Sequence, residues 1–397
     1  MWRLVVTSFA ALAAAPLCSG LKLQHREEQA QLEGAQANNA GASRGIVMSC
    51  PVNQASFSAG AWKPSILFSG FETTVRILRM LGCELPIYNI LYEDELPAAE
   101  SRCQGVSKEF SGVSCMGMEK QRTGYGFSKV WAVEAAPVNQ VMFIDCDAFF
   151  VRDPTYLFED GNFTKTGALF WTDIEGHYGS EGKLAAALSL IPEERHVHQD
   201  EWWFQQGYDS GLLLVDKAAS QKPFQVLKAL ITTPREDERK VLDMISLGDK
   251  DLWHVAWLMA GPPCTADECS LMPFASMSGT CYNDGKFRMS SQVKVDRAGK
   301  VIALHQLWRL GGGFQPGTLI SPSELLSINI VGRKHPAAGA WRANDLYTGI
   351  HDGGNIGCDM MKREFSAEAI TPVPNMVQDL VAVVSACWHA PEVKCPL

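Results

Sequence analysis

The sequence lacks the features of several common protein classes. Its 35 basic residues are outnumbered by 44 acidic ones, and the formal charge of −9 provides no basic surface for nucleic acid. No cysteine pair has CxxC spacing and no histidine pair has finger spacing, which argues against a structural zinc site. Beyond the N-terminal segment, no apolar run reaches the roughly 18 residues of a membrane-spanning helix. No repeat of fixed period occurs along the chain.

Apolar residues, in contrast, are abundant and make up 46% of the 397 positions. That content is too high for a disordered chain and is sufficient for the core of one large domain or two ordinary ones. The 12 cysteines are too few for a small scaffold held together by disulfides. Their number nevertheless raises the question of which compartment the protein occupies.

The N-terminus has the pattern of a secretory signal peptide. Arg3 precedes an apolar run over residues 4–17, and small residues follow at 18–20. The run is shorter than the roughly 20 residues of a transmembrane helix, which favours cleavage over anchoring without deciding between them. We therefore predict a signal peptide at residues 1–20 and entry into the secretory pathway. Residues 21–44, which are polar and rich in Gln, Ala, Gly and Asn, are predicted to be a flexible stem.

The cysteines fit an oxidising compartment. Eleven remain if Cys18 is removed with the signal peptide, and ten of these can pair in a lumen, although the sequence does not give the pairing. Cys146 is predicted to be the reduced, unpaired one, because strand alternation points it into the core. The only sequon, Asn162-Phe163-Thr164, lies in a predicted loop, where a glycan would indicate residence in the lumen.

Hydrophobic patterns predict an α/β fold with a mostly parallel central sheet. A buried strand at residues 45–50, a helix at 69–81 and a second strand at 86–91 follow one another at the spacing of a parallel sheet. After residue 310 the pattern loosens into Gly- and Pro-rich stretches, with one clear helix at 376–386. The other predicted elements are strands at 141–144, 168–171, 212–215 and 301–304, and helices at 127–135, 223–231 and 251–259.

Two carboxylates follow the apolar strand at 141–144, at Asp145 and Asp147. The carboxyl ends of strands in an open α/β sheet are where ligands bind, and strand alternation would point both side chains the same way. Two hard oxygen ligands on one face suit Mn²⁺ or Mg²⁺, which can bridge the oxygens of a diphosphate. A bare Asp-x-Asp, however, also marks solvated turns in many proteins.

A second enzymatic interpretation exists for this pair. Haloacid-dehalogenase phosphatases also place Asp-x-Asp after an apolar strand, with Asp145 then a covalent nucleophile. Those enzymes normally continue with Thr or Val, whereas Ala148 and Phe149 follow here.

Several segments resemble a known family in the same order. The run FIDCDAFFVRDPTYLFE resembles the nucleotide-sugar-binding strand of GT-A glycosyltransferases, in particular the fungal Golgi α-mannosyltransferases of glycosyltransferase family 71. The preceding GFSKVWAVEAAPVNQVMFID is similar to the Lys-containing helix of that family. TGALFWTD, YDSGLLLVDK, GDKDLWHVAWLMAG and ALHQLW resemble its later motifs in chain order. Together these segments cover residues 45–310.

The resemblance implies a metal site made of three residues. Asp145 would contact the metal and the nucleotide ribose, and Asp147 would chelate the metal. His305, which follows the strand at 301–304, would supply the third ligand, since neutral imidazole complements two carboxylates around Mn²⁺. Taken alone, His305 would be read as a half-buried structural histidine.

The resemblance also implies catalytic and donor-binding roles. Asp209 would lie beside the reacting sugar, Asp249 would bind donor-sugar hydroxyls, and Lys250 would offset phosphate charge. Lys129 and Arg76 would pair with phosphate, although both also fit charges on a helix surface. Asp249 equally fits a cap at a helix N-terminus.

These observations predict a luminal, Golgi-resident GT-A glycosyltransferase domain at residues 45–310, with a Cys-containing C-terminal extension at 311–397 packed on it. The enzyme would use Mn²⁺ or Mg²⁺ and transfer a hexose, most simply mannose from GDP-mannose, to a glycan or glycoprotein with retention. Nothing in the residues selects the base or the sugar. The alternatives are the phosphatase and a catalytically silent, secreted carbohydrate-binding protein.

Overall fold

A computed structural model describes most of the predicted catalytic region. The signal peptide, the stem before residue 44 and the helix predicted at 376–386 fall outside the described residues. Within the described residues, no helix is both long and apolar enough to cross a membrane. The described residues are 44–52, 64–120, 127–172, 208–232, 249–261, 271–272, 276–281, 287–298, 300–305 and 329–332.

A seven-stranded sheet forms the centre of the fold, in the order β3-β2-β1-β4-β7-β6-β8. Only β7 is antiparallel to its neighbours, β4 and β6, and the other adjacent pairs run parallel. The predicted fold class, an α/β protein with a mostly parallel central sheet flanked by helices, is therefore confirmed. The strands are β1 Arg44–Met48, β2 Ile87–Tyr92, β3 Val113–Met118, β4 Gln140–Ile144, β6 Ala168–Thr172, β7 Tyr208–Asp216 and β8 Leu271–Met272.

Helices cover both faces of this sheet, because its central strands are apolar on both sides. In β1, for example, Val47 packs into one core cluster while Ile46 and Met48 pack into the other. The first cluster contains α3, α5 and α6, and the second contains α1 and α2. The helices are α1 Pro64–Met80, α2 Leu96–Glu109, α3 Ser128–Ala135, α4 Gly161–Thr166, α5 Gln221–Thr232 and α6 Leu252–Ala260, with a 3-10 helix at Thr155–Glu159.

A second, five-stranded sheet lies beside the first, in the order β12-β9-β10-β11-β5, with antiparallel pairs throughout. Its strand β5 begins shortly after β4 ends, so one chain segment connects the two sheets. The buried indole of Trp171 adds a link by donating a hydrogen bond of 3.0 Å to the carbonyl of Val295. The strands are β5 Ala148–Phe150, β9 Ser276–Cys281, β10 Phe287–Val295, β11 Val301–His305 and β12 Asn329–Gly332.

Each strand and helix predicted between residues 45 and 305 has a counterpart in the structure. The sequence analysis missed α2 and β3, which lie between the second predicted strand and the helix at 127–135. It also did not predict α4 or the strands β5, β8, β9, β10 and β12. Only Ala99, Cys103 and Val106 of α2 are buried, so its apolar period is weak. In β3 the pattern is interrupted by Gly117 and by half-buried positions.

The prediction that Cys146 is a reduced core residue is wrong. Cys146 forms a disulfide with Cys50, with 5.7 Å between the Cα atoms, and a second disulfide joins Cys103 to Cys115. Strand alternation misplaced Cys146 because β4 ends at Ile144, and Cys146 lies in the turn that follows. Among the described residues the free cysteine is Cys83, which is buried. Because the disulfide at Cys146 closes a loop of 96 residues, it lowers the conformational entropy of the unfolded chain and so stabilises the fold by about 4–5 kcal/mol.

The sequon also differs from its predicted setting. Asn162-Phe163-Thr164 lies in α4 and not in a loop. Asp160 caps this helix by accepting hydrogen bonds from the backbone N–H groups of Asn162 and Phe163. An aspartate N-cap followed by a buried Phe163 is sufficient to start a short helix here.

Replacing Gly70 of α1 by alanine should destabilise the protein. The new methyl group would lie 1.9 Å from the carbonyl oxygen of Cys146, and overpacking of this kind costs about 1–3 kcal/mol. Gly105→Ala in α2 is the matched control, because its methyl group would meet nothing within 4 Å and alanine favours helices by up to about 1 kcal/mol. Urea denaturation measures both free energies of unfolding. Equal free energies of unfolding for the two variants would contradict the close approach of Gly70 to the carbonyl of Cys146.

Candidate metal centre

The turn after β4 brings the two predicted carboxylates to the carboxyl edge of the parallel strands. The backbone N–H of Asp145 donates to the carbonyl of Gly211 at 2.9 Å, and the N–H of Ala148 donates back to the carbonyl of Asp145 at 3.1 Å. Asp145 and Asp147 therefore converge because a turn is held in place, and not because a strand continues. The convergence itself is as predicted.

His305 joins these carboxylates through the second sheet. The pairing of β11 with β5 sets His305 opposite Ala148, the residue after Asp147. Its Nε2 atom lies 3.3 Å from Oδ1 of Asp147 and 3.8 Å from Oδ2 of Asp145. One ligand atom from each of the three residues lies within 4.8 Å of the others. The structure thus brings together the three predicted metal ligands.

Asp209 lies behind His305, at the start of β7. Because β7 runs antiparallel, its first residues lie at the same edge as the last residues of β4. The Asp209 carboxylate accepts a hydrogen bond from Nδ1 of His305 at 2.7 Å and another from the N–H of Gly211 at 2.9 Å. A carboxylate can only accept, so Nδ1 carries the proton and Nε2 faces Asp145 and Asp147.

Lys294 holds Asp209 from the other side, and the sequence analysis did not identify it. This β10 residue is 2% exposed and forms an ion pair with the Asp209 carboxylate. Its ammonium also donates to the side-chain oxygen of Gln292 at 2.8 Å. The sequence offers no signal for this role, since a lysine that alternates with Val293 and Val295 is the ordinary pattern of a strand with one polar face.

The charges of this network alter the pKa values of its members. Burial opposes charge on His305, but the carboxylates of Asp209 and Asp147 outweigh it and raise its pKa to about 10. Burial would raise the pKa of Asp209, yet His305 and Lys294 lower it well below its ordinary value. Without a cation, therefore, a proton on His305 compensates the carboxylates.

Lys129 is part of the site and not a charge on a helix surface. Its ammonium lies 3.2 Å from the Asp145 carboxylate, 2.9 Å from Oγ of Ser210 and 3.7 Å from Oδ1 of Asp249. Burial lowers its pKa, but Asp145 and Asp249 raise it by more, so Lys129 stays charged.

Asp249 faces the same ammonium and does not cap a helix. Its carboxylate accepts a hydrogen bond from the indole of Trp253 at 2.7 Å. Burial raises the pKa of Asp249 to about 6, against the opposing effect of Lys129. The cap position of α6 belongs to Asp251, whose carboxylate accepts from the N–H of Tyr208 instead. Lys250 is half-buried in the turn before α6, and its role with phosphate stays a prediction.

One prediction about this region differs from the structure. Arg76 is not brought to the cluster: its guanidinium pairs with Glu109, at the end of α2 that leads into β3 and so at the opposite edge of the sheet. The small size of Gly211 admits the imidazole of His305, because a methyl group there would lie 2.2 Å from Cε1 of His305.

Asp209→Asn should weaken Mn²⁺ binding about 10- to 100-fold, because the amide cannot hold His305 as the carboxylate does. Asp94→Asn is the control, since the same change is made at a carboxylate that is 56% exposed and paired with Lys120. Titration followed by the electron paramagnetic resonance signal of free Mn²⁺ measures both affinities. Equal affinities in the two variants would rule out a supporting role for Asp209.

Mn²⁺ binding should also strengthen as pH rises from 6 to 8. His305 is protonated below its pKa of about 10, so a cation must displace that proton, and raising the pH reduces the competition. One displaced proton corresponds to about a tenfold gain in affinity per pH unit. Calorimetry in buffers of different ionisation enthalpy counts the proton released. His305→Gln should remove this pH dependence, and an unchanged slope would contradict the assignment.

Several solved structures resemble this chain at a distance. The apo form of the glycosyltransferase GlyE from Streptococcus pneumoniae TIGR4 is 14% identical with a TM-score of 0.34, over 58% of this chain and 45% of that one. Mouse xyloside xylosyltransferase 1 is 13% identical with a TM-score of 0.36, over 58% and 84% of the two chains. The galactosyltransferase LgtC, in complex with donor and acceptor sugar analogs, is 13% identical with a TM-score of 0.33, over 54% and 70%. This chain thus spans less than half the length of GlyE.

No curated protein matches the chain. The model of the family described as "Mannosyltransferase putative" matches residues 43–278. The matched segment contains Lys129, Asp145, Asp147, Asp209 and Asp249, whereas Lys294 and His305 lie beyond it. Because this match spans more than half of the chain, the protein belongs to that mannosyltransferase family.

Proposed function

We propose that this protein is a metal-dependent glycosyltransferase that moves a hexose from a nucleoside diphosphate sugar to a glycan or glycoprotein. One observation carries the proposal: Asp145, Asp147 and His305 converge at the carboxyl edge of the sheet, in a chain of a mannosyltransferase family. The family favours mannose as the sugar, with GDP-mannose the simplest donor. Transfer with retention, and membership of glycosyltransferase family 71, follow from the sequence resemblance.

The side chains of the site fit a divalent cation. Two carboxylates and an imidazole are a donor set suited to Mn²⁺ or Mg²⁺. Ligands bound at about 2.1 Å lie roughly 3 Å apart around an octahedral ion. The separations of 3.3 and 3.8 Å between Nε2 of His305 and the two carboxylates are close to this value. The carboxylate of Asp209 fixes the other imidazole nitrogen, as in many metal sites.

In the proposed reaction, Asp145, Asp147 and His305 would hold the cation. When bound, the cation stabilises the negative charge that develops on the departing diphosphate. Asp249, which is buried and has a pKa raised to about 6, is suited to hydrogen-bond hydroxyl groups of the donor sugar. Lys129 fixes the carboxylates of Asp145 and Asp249 and offsets their charge.

Asp209 receives a different role from the one that the resemblance implies. It is 5% exposed, and its two oxygens are engaged by His305, Gly211 and Lys294. We therefore assign Asp209 as a positioning residue for His305, and not as a group beside the reacting sugar.

The domain boundaries and the location remain part of the proposal. We retain a signal peptide at residues 1–20, a stem at 21–44, a transferase domain at 45–310 and an extension at 311–397. The two disulfides between described residues support residence in an oxidising compartment, such as the Golgi lumen.

Thermal unfolding with nucleotides tests the proposal directly. GDP together with Mn²⁺ should stabilise the wild-type protein, by about 2.7 kcal/mol at a ligand concentration of 100 times Kd. Asp147→Asn should abolish this stabilisation, because the site loses one of the three residues that would hold the cation. Asp94→Asn should retain it, and UDP in place of GDP identifies the base.

The other functions give different outcomes. Stabilisation by neither nucleotide, with or without Mn²⁺, contradicts the transferase and favours a carbohydrate-binding protein. Release of inorganic phosphate from phosphate esters, lost on Asp145→Asn, would favour the phosphatase. Incubation with GDP-mannose and a glycan acceptor, followed by nuclear magnetic resonance of the new anomeric proton, tests the sugar and the retention.

A further inference from the structure

The residue between the two metal-binding carboxylates is itself cross-linked. Cys146 lies at the centre of the turn that carries Asp145 and Asp147, and its sulfur is bonded to that of Cys50. Cys146 is 8% exposed and Cys50 is fully buried, just after the end of β1. A covalent bond therefore ties the metal-binding turn to the neighbouring parallel strand.

The other end of this bond is anchored in the sheet. The backbone N–H of Cys50 donates to Oδ1 of Asn89 at 2.8 Å, and Nδ2 of Asn89 donates to the carbonyl of Cys50 at 3.1 Å. Asn89 belongs to β2 and is fully buried. Because its amide satisfies both backbone groups of Cys50, the half-cystine is held by two adjacent strands.

Hydrogen bonds hold the turn at its two ends, and the disulfide holds its middle. Asp145 is fixed by the carbonyl of Gly211, and the carbonyl of Ala148 accepts a hydrogen bond of 3.4 Å from the hydroxyl of Thr74. On the side of α1, Gly70 leaves room for the carbonyl of Cys146. A rotation of the turn about its ends would separate Asp145 from Asp147, and the bond to Cys50 opposes that rotation.

We propose that the Cys50–Cys146 disulfide positions Asp145 and Asp147 for cation binding, so that the cation affinity of the site depends on the oxidation state of these two cysteines. This inference rests on the proposed metal-dependent function. It assigns Cys146 a positioning role, acting through its two neighbours in sequence. Groups that hold a metal ligand in place by hydrogen bonds change metal affinity about 10- to 100-fold, and we expect an effect of that order for this bond.

Breaking the Cys50–Cys146 disulfide is a two-electron reduction. A phosphine reductant cleaves the S–S bond and becomes a phosphine oxide, taking its oxygen from water, while the two protons of that water convert Cys50 and Cys146 to thiols. The turn then keeps its terminal hydrogen bonds but loses the constraint at its centre. In an oxidising compartment the bond persists and the site keeps its full affinity.

The second disulfide offers a matched control within the same chain. Cys103–Cys115 joins α2 to β3, an edge strand of the seven-stranded sheet, where Cys115 lies opposite Asn89 and two strands, β2 and β1, separate it from β4. The Cα atoms of this pair are 5.9 Å apart, against 5.7 Å for Cys50 and Cys146. Loss of either bond removes one cross-link, but only one of the two reaches the turn.

The experiment compares Cys50→Ala/Cys146→Ala with Cys103→Ala/Cys115→Ala in the full chain. Mn²⁺ affinity is measured by the resonance signal of the free ion, and thermal unfolding is measured in metal-free buffer. The first variant should bind Mn²⁺ about 10- to 100-fold more weakly than wild type, whereas the control should keep the wild-type affinity. Folded Cys103→Ala/Cys115→Ala protein treated with tris(2-carboxyethyl)phosphine, with the broken bonds located by thiol labelling, tests loss of the Cys50–Cys146 bond without substituting either of these two cysteines.

Each outcome separates the inference from the function on which it rests. No Mn²⁺ binding by the wild-type protein overturns the proposed function. Wild-type affinity in Cys50→Ala/Cys146→Ala, or in the reduced protein, overturns the positioning role and leaves the function intact. An equal loss of affinity in both double variants, in step with a lower unfolding temperature, also overturns it, because the bonds would then act through stability alone. If the first variant does not fold, the reduced Cys103→Ala/Cys115→Ala protein decides.

Discussion

The pairing of β5 with β11 determines where the site forms. β5 begins directly after the turn that holds Asp145 and Asp147, and its register against β11 sets His305 opposite Ala148. The N–H of Val151 continues the pairing by donating to the carbonyl of Ile302 at 2.8 Å. Because side chains alternate along a strand, a slip of one residue would turn His305 to the other face. The ligand set therefore depends on the register of two short, buried strands.

Charge balance explains the groups that surround these ligands. Four buried or half-buried carboxylates face two ammonium groups, those of Lys129 and Lys294, so the cluster is acidic when His305 is neutral. Burying unpaired charge is costly; a proton on His305 reduces the excess negative charge, and a divalent cation would balance it. The overall charge of −9 thus indicates little about an anionic substrate, since the local balance is set by a few buried groups.

The sequence predicted five of the seven strands of the large sheet because apolar strands and amphipathic helices alternate along the chain, whereas it missed β3 and β8. It predicted that Asp145, Asp147 and His305 converge, because the two carboxylates follow one apolar strand and His305 ends another in a resembling motif. It could not predict Lys294 or the pairing of Cys146, which depend on contacts between segments that are far apart in the chain. Asp209 was identified as important, but its burial behind His305 follows only from the antiparallel direction of β7, which periodicity does not reveal. The sequence also could not show that Arg76 lies away from the site. An arginine on a predicted helix can face either edge of the sheet, and the sequence does not indicate which one.

The interface between the two sheets contains hydrogen bonds and ion pairs in addition to apolar contacts. Asp145 and Asp209 come from the large sheet, His305 and Lys294 from the small one, and Trp171 adds a hydrogen bond across the same boundary. Apolar layers tolerate sliding and rotation, because dispersion contacts have little directionality. Hydrogen bonds and ion pairs have preferred angles, so they define the orientation of one sheet on the other. The polar groups of the candidate site therefore also set the relative orientation of the two sheets. Substituting them would change the angle between the sheets as well as the chemistry of the site.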